Sequence, residues 1–191
     1  MRKIPIDQFV VGLCSMSESD FKAGSIDSYI EGNRVSVPSL KPYLFFSENN
    51  YTRNLIFRNE LFELLALCWA PGHVSSIHDH AGENCWMAVP VGKLRIQNFR
   101  VLEQDLETGY CKVEPTASMD IDKLTPAGVD PTEPIHQVLN LEEFGRRAVS
   151  LHVYSRPIDR CLIYSPSINL CSEVMPTYTS EGGALCRGVV L

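Results

Sequence analysis

The apolar residues change period once along the chain. Over the first forty-odd residues they recur at helical spacing. IDQFVVGLCS carries one apolar face, and SIDSYIEGN offers Ser25 or Asp27 as an N-cap and Gly32 as a stop. SVPSLKPYLFF adds a short helix between Pro38 and Pro42. From Tyr51 onward, short runs rich in branched and aromatic residues follow one another between turn residues. They predict strands at YTRNLIF, FELLALCW, SSIHDH, CWMAVPV, KLRIQNFRVL, GYCKVEP, SMDIDKL, IHQVLNL, AVSLHVYS, RCLIYS and near CSEVMPTYT. Gly72, Gly92, Gly109 and Pro126-Ala127-Gly128 supply turns. Strands this many and this short predict an all-β sandwich or barrel. The expected organisation is one domain: a helical segment (1–48) packed on a barrel (49–180), then a loosely held tail (181–191).

Composition narrows the function classes. A chain of 191 residues has room for a sizeable core, and 45% hydrophobic with 21% charged residues is a globular balance. A net charge of -6, with Lys and Arg scattered, argues against nucleic acid, which needs a basic face. MRKIPIDQFVVGLCS opens with basic and then apolar residues, but Asp7 and Gln8 interrupt the apolar run, so it does not read as a signal peptide. No window reaches the length of a membrane span. The expectation is a cytoplasmic monomer with no nucleic-acid or membrane partner. The seven cysteines are odd in number, widely spaced and free of CxxC, which predicts free thiols. Cys68 and Cys161 lie in apolar runs, where a buried, inert thiol is the default.

Candidate chemistry lies in the five histidines. In SSIHDHAG, His78 and His80 are two apart. On a strand both would project from one face, their Cα atoms about 6.5–7 Å apart, and could converge on one metal ion. A lone His-x-His is weak. Its surroundings are stronger: Gly72, five residues, His78-Asp79-His80, four residues, Cys85, six residues and Gly92 resemble the first cupin motif, with Cys85 at the glutamate position. His136-Gln137-Val138-Leu139-Asn140 resembles the HxxxN end of the second motif, with Pro126-Ala127-Gly128 upstream as a displaced PxG turn. The resemblance implies a mainly β, single-domain cupin, a double-stranded β-helix or jelly-roll barrel whose motif histidines meet inside. His78, His80 and His136 would then be neutral ligands that leave the full charge of a divalent ion at the site. Such a site favours an anionic, soft ligand such as a thiolate, although zinc or nickel also fits three histidines. Asp79 should face the other way as a structural acceptor, and His73 carries no role.

Four segments in combination (YTRN, CWAPGHVSSIHDH, Cys85 five residues after His80, and SLHVYS) resemble the cysteine dioxygenase family, over roughly Tyr43 to Tyr178. The resemblance implies iron(II) on His78, His80 and His136. It implies a thioether cross-link between Cys85 and Tyr154, and a hydrogen-bonded Ser150, His152 and Tyr154 relay. It implies that Arg53, with Tyr51 nearby, holds a substrate carboxylate, and that Cys161 and Met175 line the site or its approach. The residues agree on their own chemistry. Ser150, His152 and Tyr154 alternate on one strand, so they share a face; alternation alone fits either an inner face or a polar outer one. Arg53 offers a planar fork suited to a carboxylate. Arg58, five residues on, should face the other way on a regular strand. Many members of the family have a cis peptide bond before a proline after the relay; here Arg156 stands at that position. A cis bond before a non-proline costs about 2.5–4 kcal/mol, which predicts a trans or strained bond.

The activity implied is oxidation of L-cysteine by dioxygen to cysteine sulfinic acid. Two alternatives remain open at this level. One is a dioxygenase for another small thiol, 3-mercaptopropionate or cysteamine; relatives preferring mercaptopropionate tend to carry glutamine at the Arg53 position and to lack the cross-linking cysteine. The other is a non-catalytic cupin that binds a metal or ligand.

Overall fold

A computed structural model describes residues 2–21, 25–124, 127–128 and 134–191. Its N-terminal part contains β1 (Arg2–Ile4), α1 (Ile6–Cys14), α2 (Ser25–Gly32), β2 (Asn33–Val35) and a 3-10 turn over Val37–Tyr43. The helical spacing in the sequence is that of the buried faces: Ile6, Phe9 and Leu13 on α1, Ile26 and Ile30 on α2. Gly32 ends α2 as expected. The parallel β1–β2 pair was not expected, because three-residue strands are too short to show a period.

The rest is mainly β: β3 (Thr52–Arg58), β4 (Phe62–Trp69), β5 (Ile77–His78), β6 (Cys85–Val91), β7 (Lys93–Asp105), β8 (Tyr110–Asp122), β9 (Ala127–Gly128), β10 (Ile135–Leu139), β11 (Ala148–Ser155), β12 (Cys161–Ser165), β13 (Leu170–Val174), β14 (Ser180–Glu181) and β15 (Ala184–Leu185). One sheet runs β15-β14-β3-β4-β11-β6-β9, and β10-β5-β12-β13-β8-β7 close on themselves. Leu65, Leu67, Met87, Leu94, Ile96, Ile121 and Val138, drawn from both, form one interior core. This is the cupin jelly roll that the motif resemblance implied.

β4 and β11 are buried at every position. Each is covered on both faces. Phe62, Leu64, Ala66, Val149, Leu151 and Val153 pack under the N-terminal segment, while Leu65, Leu67, Trp69 and Tyr154 point into the barrel.

Three expectations are corrected. SSIHDH forms only the two-residue β5. GYCKVEP and SMDIDKL are one strand, β8, because Pro115 sits next to a register shift opposite Phe99; a bulge is where a strand tolerates proline. Ala127 and Gly128 make no turn but pair with Met87 and Trp86 of β6, and Pro126 lies outside the described residues. Gly92 turns the chain between β6 and β7 at φ +80°, and a Cβ there would meet the Arg147 carbonyl oxygen at 2.7 Å. The start of the tail is held, since Gly182 N donates to Leu55 O and Cys186 N to Thr179 O, each at 3.0 Å.

Candidate metal centre and substrate pocket

His78 of β5 and His136 of β10 are cross-strand partners. His80 lies just past β5, where Ala81 and Gly82 turn the chain at φ 53° and 84°. The three rings lie together, their centroids 4.8–5.2 Å apart. Ligating nitrogens of the three lie within 4.8 Å of one another. His78 Nδ1 faces the Ser76 carbonyl at 2.8 Å. A carbonyl only accepts, so Nδ1 carries the proton and Nε2 keeps its lone pair. Both nitrogens of His80 are buried without a partner. Burying an unbonded imidazole is costly, and a shared ion removes that cost. Burial pushes the pKa of His78 down and those of His80 and His136 well below the ordinary range, with the neighbouring histidines adding to the last two. Neutral imidazole is the ligating form. The triad therefore fits a metal ion, and among the described residues no other three His, Cys, Asp or Glu converge this way.

The residues around the triad are fixed by ordinary structural bonds. Asp79 Oδ1 accepts from Leu162 N at 2.9 Å and ties β5 to β12. His73 Nδ1 accepts from Ala70 N at 3.0 Å, closing the turn before the motif.

Alternation along β11 sends Ser150, His152 and Tyr154 inward. Ser150 Oγ is 2.9 Å from His152 Nε2, and Tyr154 Oη is 3.2 Å from His152 Nδ1. Trp69, which the sequence reading passed over, begins this chain: its Nε1–H donates to Ser150 Oγ at 2.9 Å. Its period-two spacing from Leu65 and Leu67 was the available signal. Cys85 and Tyr154 stand directly opposite each other on β6 and β11, each 3% exposed. Directly opposed residues have Cβ atoms about 4.5–5.5 Å apart, within reach of a sulfur–ring contact. Burial pushes the Cys85 thiol and the Tyr154 phenol far up, so both hold their protons, and it presses His152 down to about 3.

Arg53 reaches the same interior from β3. Its Nε is buried with no partner. Burial works against its charge, but Tyr154, Tyr51 and Glu63 more than offset this and raise its pKa. Tyr51 stacks on Trp69 at 4.4 Å. A cavity of about 350 Å³ joins Tyr51, Arg53, His78, Cys161, Met175 and Thr179. Cys161 is in its buried wall, and Met175, 70% exposed, is at its mouth. A larger cavity, about 450 Å³ between Phe9, Ile30, Ala88 and Leu151, contains none of the histidines.

Two local expectations are resolved. Arg58 does not face away from Arg53's side: a bulge between Leu55 and Phe57 shifts the register, so Arg58 stands opposite Glu63. The Ser155–Arg156 bond is trans, and the strain appears instead at Arg156, whose φ is +67°. Its N–H donates to Leu61 O at 2.7 Å, which holds it there.

A protein-family model described as "Cysteine dioxygenase type I" matches residues 18–167. "Cysteine dioxygenase type 1" of Danio rerio is 26% identical over 96% of this chain and 90% of its own. The proteins of that name from Rattus norvegicus and Homo sapiens are each 32% identical over 74% of this chain and 68% of theirs.

Proposed function

The chain belongs to the cysteine dioxygenase type I family, and from that premise we propose that it oxidises L-cysteine with dioxygen to cysteine sulfinic acid, using iron(II) held by His78, His80 and His136. Family membership makes it a thiol dioxygenase acting on a small molecule. The observation that carries the choice of substrate is Arg53, a buried cation with an unpartnered Nε on the same cavity as His78. Its natural complement is a carboxylate, which cysteine has and cysteamine lacks.

Iron would supply open positions where a thiol and dioxygen meet, together with the redox chemistry between them. The protein's own groups do the rest. Arg53 binds the substrate carboxylate and fixes the thiol's direction. The buried, protonated Tyr154 donates a hydrogen bond into the reacting space. His152 holds that phenol, Ser150 holds His152, and Trp69 donates to Ser150. Ser150, His152 and Tyr154 are all buried, which strengthens each of these bonds. Joining Cys85 Sγ to the Tyr154 ring would remove two hydrogens, taken up by dioxygen, and would lock the phenol in place. This assists rather than enables the reaction, because the strand pairing already aligns the two residues. All site residues come from one chain, so a monomer suffices. The free thiols suit the reducing cytoplasm.

The test is turnover of L-cysteine against 3-mercaptopropionate under air, by oxygen uptake and product mass. L-cysteine is expected to win. A clear preference for mercaptopropionate would refute the substrate assignment, and no oxygen uptake with any small thiol would refute the activity.

A further inference from the structure

β4 contains one charged residue in an otherwise apolar strand. Glu63 is fully buried. It points into the barrel: Leu65, Leu67 and Trp69 follow it at period two into the interior core, and its partner across β11 is Tyr154. A buried carboxylate is costly unless it is bonded and compensated, and thiol oxidation makes no use of it. Its bonds are specific. Tyr178 Oη donates to Glu63 Oε2 at 2.5 Å, and Ile158 N donates to Oε1 at 3.4 Å. Arg58 Nη1 lies 4.0 Å from Oε2 and donates to Tyr178 Oη at 2.9 Å, while Arg58 Nη2 donates to Asp159 Oδ1 at 2.7 Å.

Tyr178 belongs to the segment after β13, whose neighbouring residues Met175, Pro176, Thr177 and Thr179 wall the substrate cavity. The next residue grips Arg53 twice: Thr179 N donates to Arg53 O at 2.7 Å, and Thr179 Oγ1 accepts from Arg53 N at 3.1 Å. A single phenol–carboxylate bond thus fixes both the wall and the strand residue that carries the substrate-binding cation. Burial, reinforced by Glu63, pushes the Tyr178 phenol up to about 12, so it remains a donor at neutral pH.

We propose that Glu63 and Tyr178 form a buried latch that clamps the wall segment from Met175 to Thr179 onto the barrel, positions Arg53, and limits how long a thiol acid the cavity admits. The inference rests on the cysteine dioxygenase reading for its substrate but not for its mechanics. Glu63, Tyr178 and Arg58 are positioning residues, since none lines the cavity. Releasing the latch displaces the carboxylate-binding end and leaves the three histidines in place. Substrate binding should weaken while the chemical step persists.

The test compares wild type with Tyr178→Phe, and with Glu63→Leu/Tyr178→Phe, which leaves no unpaired carboxylate and so guards against simple unfolding. Loss of a hydrogen bond to a charged group should raise KM for L-cysteine about tenfold. On the iron-loaded enzyme kcat should stay within about twofold, and discrimination against homocysteine, one methylene longer, should narrow. On metal-free protein, hydrogen exchange at the Thr179 and Gly182 amides should accelerate in both variants. A lowered Tm with unchanged KM and unchanged homocysteine discrimination would overturn the latch and leave a structural bond. If wild type consumes no oxygen with L-cysteine, the catalytic reading fails by itself. The exchange experiment then still decides the latch, and unchanged protection at Thr179 and Gly182 would overturn it.

Discussion

Two cavities flank the sheet that carries β4 and β11. The outer one, about 450 Å³, is walled by Phe9, Ile30, Ala88 and Leu151. The inner one, about 350 Å³, is smaller and holds His78, Arg53 and Cys161. β11 separates the two sides: Leu151 lines the outer cavity, and Ser150, His152 and Tyr154 face the barrel interior. Size and apolarity therefore do not mark the chemistry. Convergence of polar groups left short of partners does: among the described residues, Arg53 Nε and both nitrogens of His80 are in that state on the inner face. A one-residue slip of β11 would exchange the two faces and destroy both.

The sharpest way to break the comparison is one substitution on each side. His136→Ala should remove the bound metal and lower turnover by about 10³-fold or more, with the fold intact by circular dichroism. Leu151→Ala should do the reverse, costing about 2–5 kcal/mol of stability in urea titrations while the folded fraction keeps its kcat. If Leu151→Ala abolished turnover without loss of stability, the division between the faces would be wrong.

Arg53→Gln comes next. Removing the bidentate partner should lower kcat/KM for L-cysteine by about 10²-fold while turnover of cysteamine, which has no carboxylate, stays near its wild-type level. Equal losses for both thiols would remove Arg53 from carboxylate binding.

How far the site was legible follows from these residues. A run of eight apolar-rich residues, FELLALCW, and the alternating AVSLHVYS appear at the expected places as β4 and β11, because full burial leaves nothing to compete with the pattern. The histidine triad was legible from the resemblance of two short segments to the cupin motifs, and the three rings do converge. Arg58 was not, because a bulge reverses facing and leaves no trace in residue types. Glu63 carried a signal, a charge inside an apolar strand, that passed unused; its partner Tyr178, 115 residues away, could be found only in three dimensions. The trans bond at Arg156 followed from the energetics of non-proline peptides, whereas the displacement of strain to φ depended on the Leu61 contact.

Protonation offers a smaller effect on the inner face. Burial holds His152 at about 3, against about 6.5 in the unfolded chain. Between those values the unfolded chain binds a proton that the folded one refuses. The stabilisation is thus complete above about pH 6.5 and declines as pH falls toward 3. Metal-free protein should lose about 2 kcal/mol from this group between pH 7.5 and pH 5, read from urea midpoints. His152→Gln should flatten that dependence; an unchanged slope would mean the histidine is charged in the fold.

Smallest is Arg156→Gly. Relief of the left-handed strain, partly offset by a freer unfolded chain, should stabilise by about 0.5–1 kcal/mol with no change in turnover. Destabilisation would mean that the exposed Arg156–Glu18 contact outweighs the backbone strain.

The most direct measurement of the central claim combines metal analysis with isotope tracing. Protein loaded anaerobically with iron(II) is given L-cysteine and ¹⁸O₂, and iron per chain and product mass are read together. The account predicts one iron per chain, lost in His136→Ala, and cysteine sulfinic acid carrying both labelled oxygens. Iron bound in full with cysteine returned unchanged, or oxidised only to cystine without label, would contradict it.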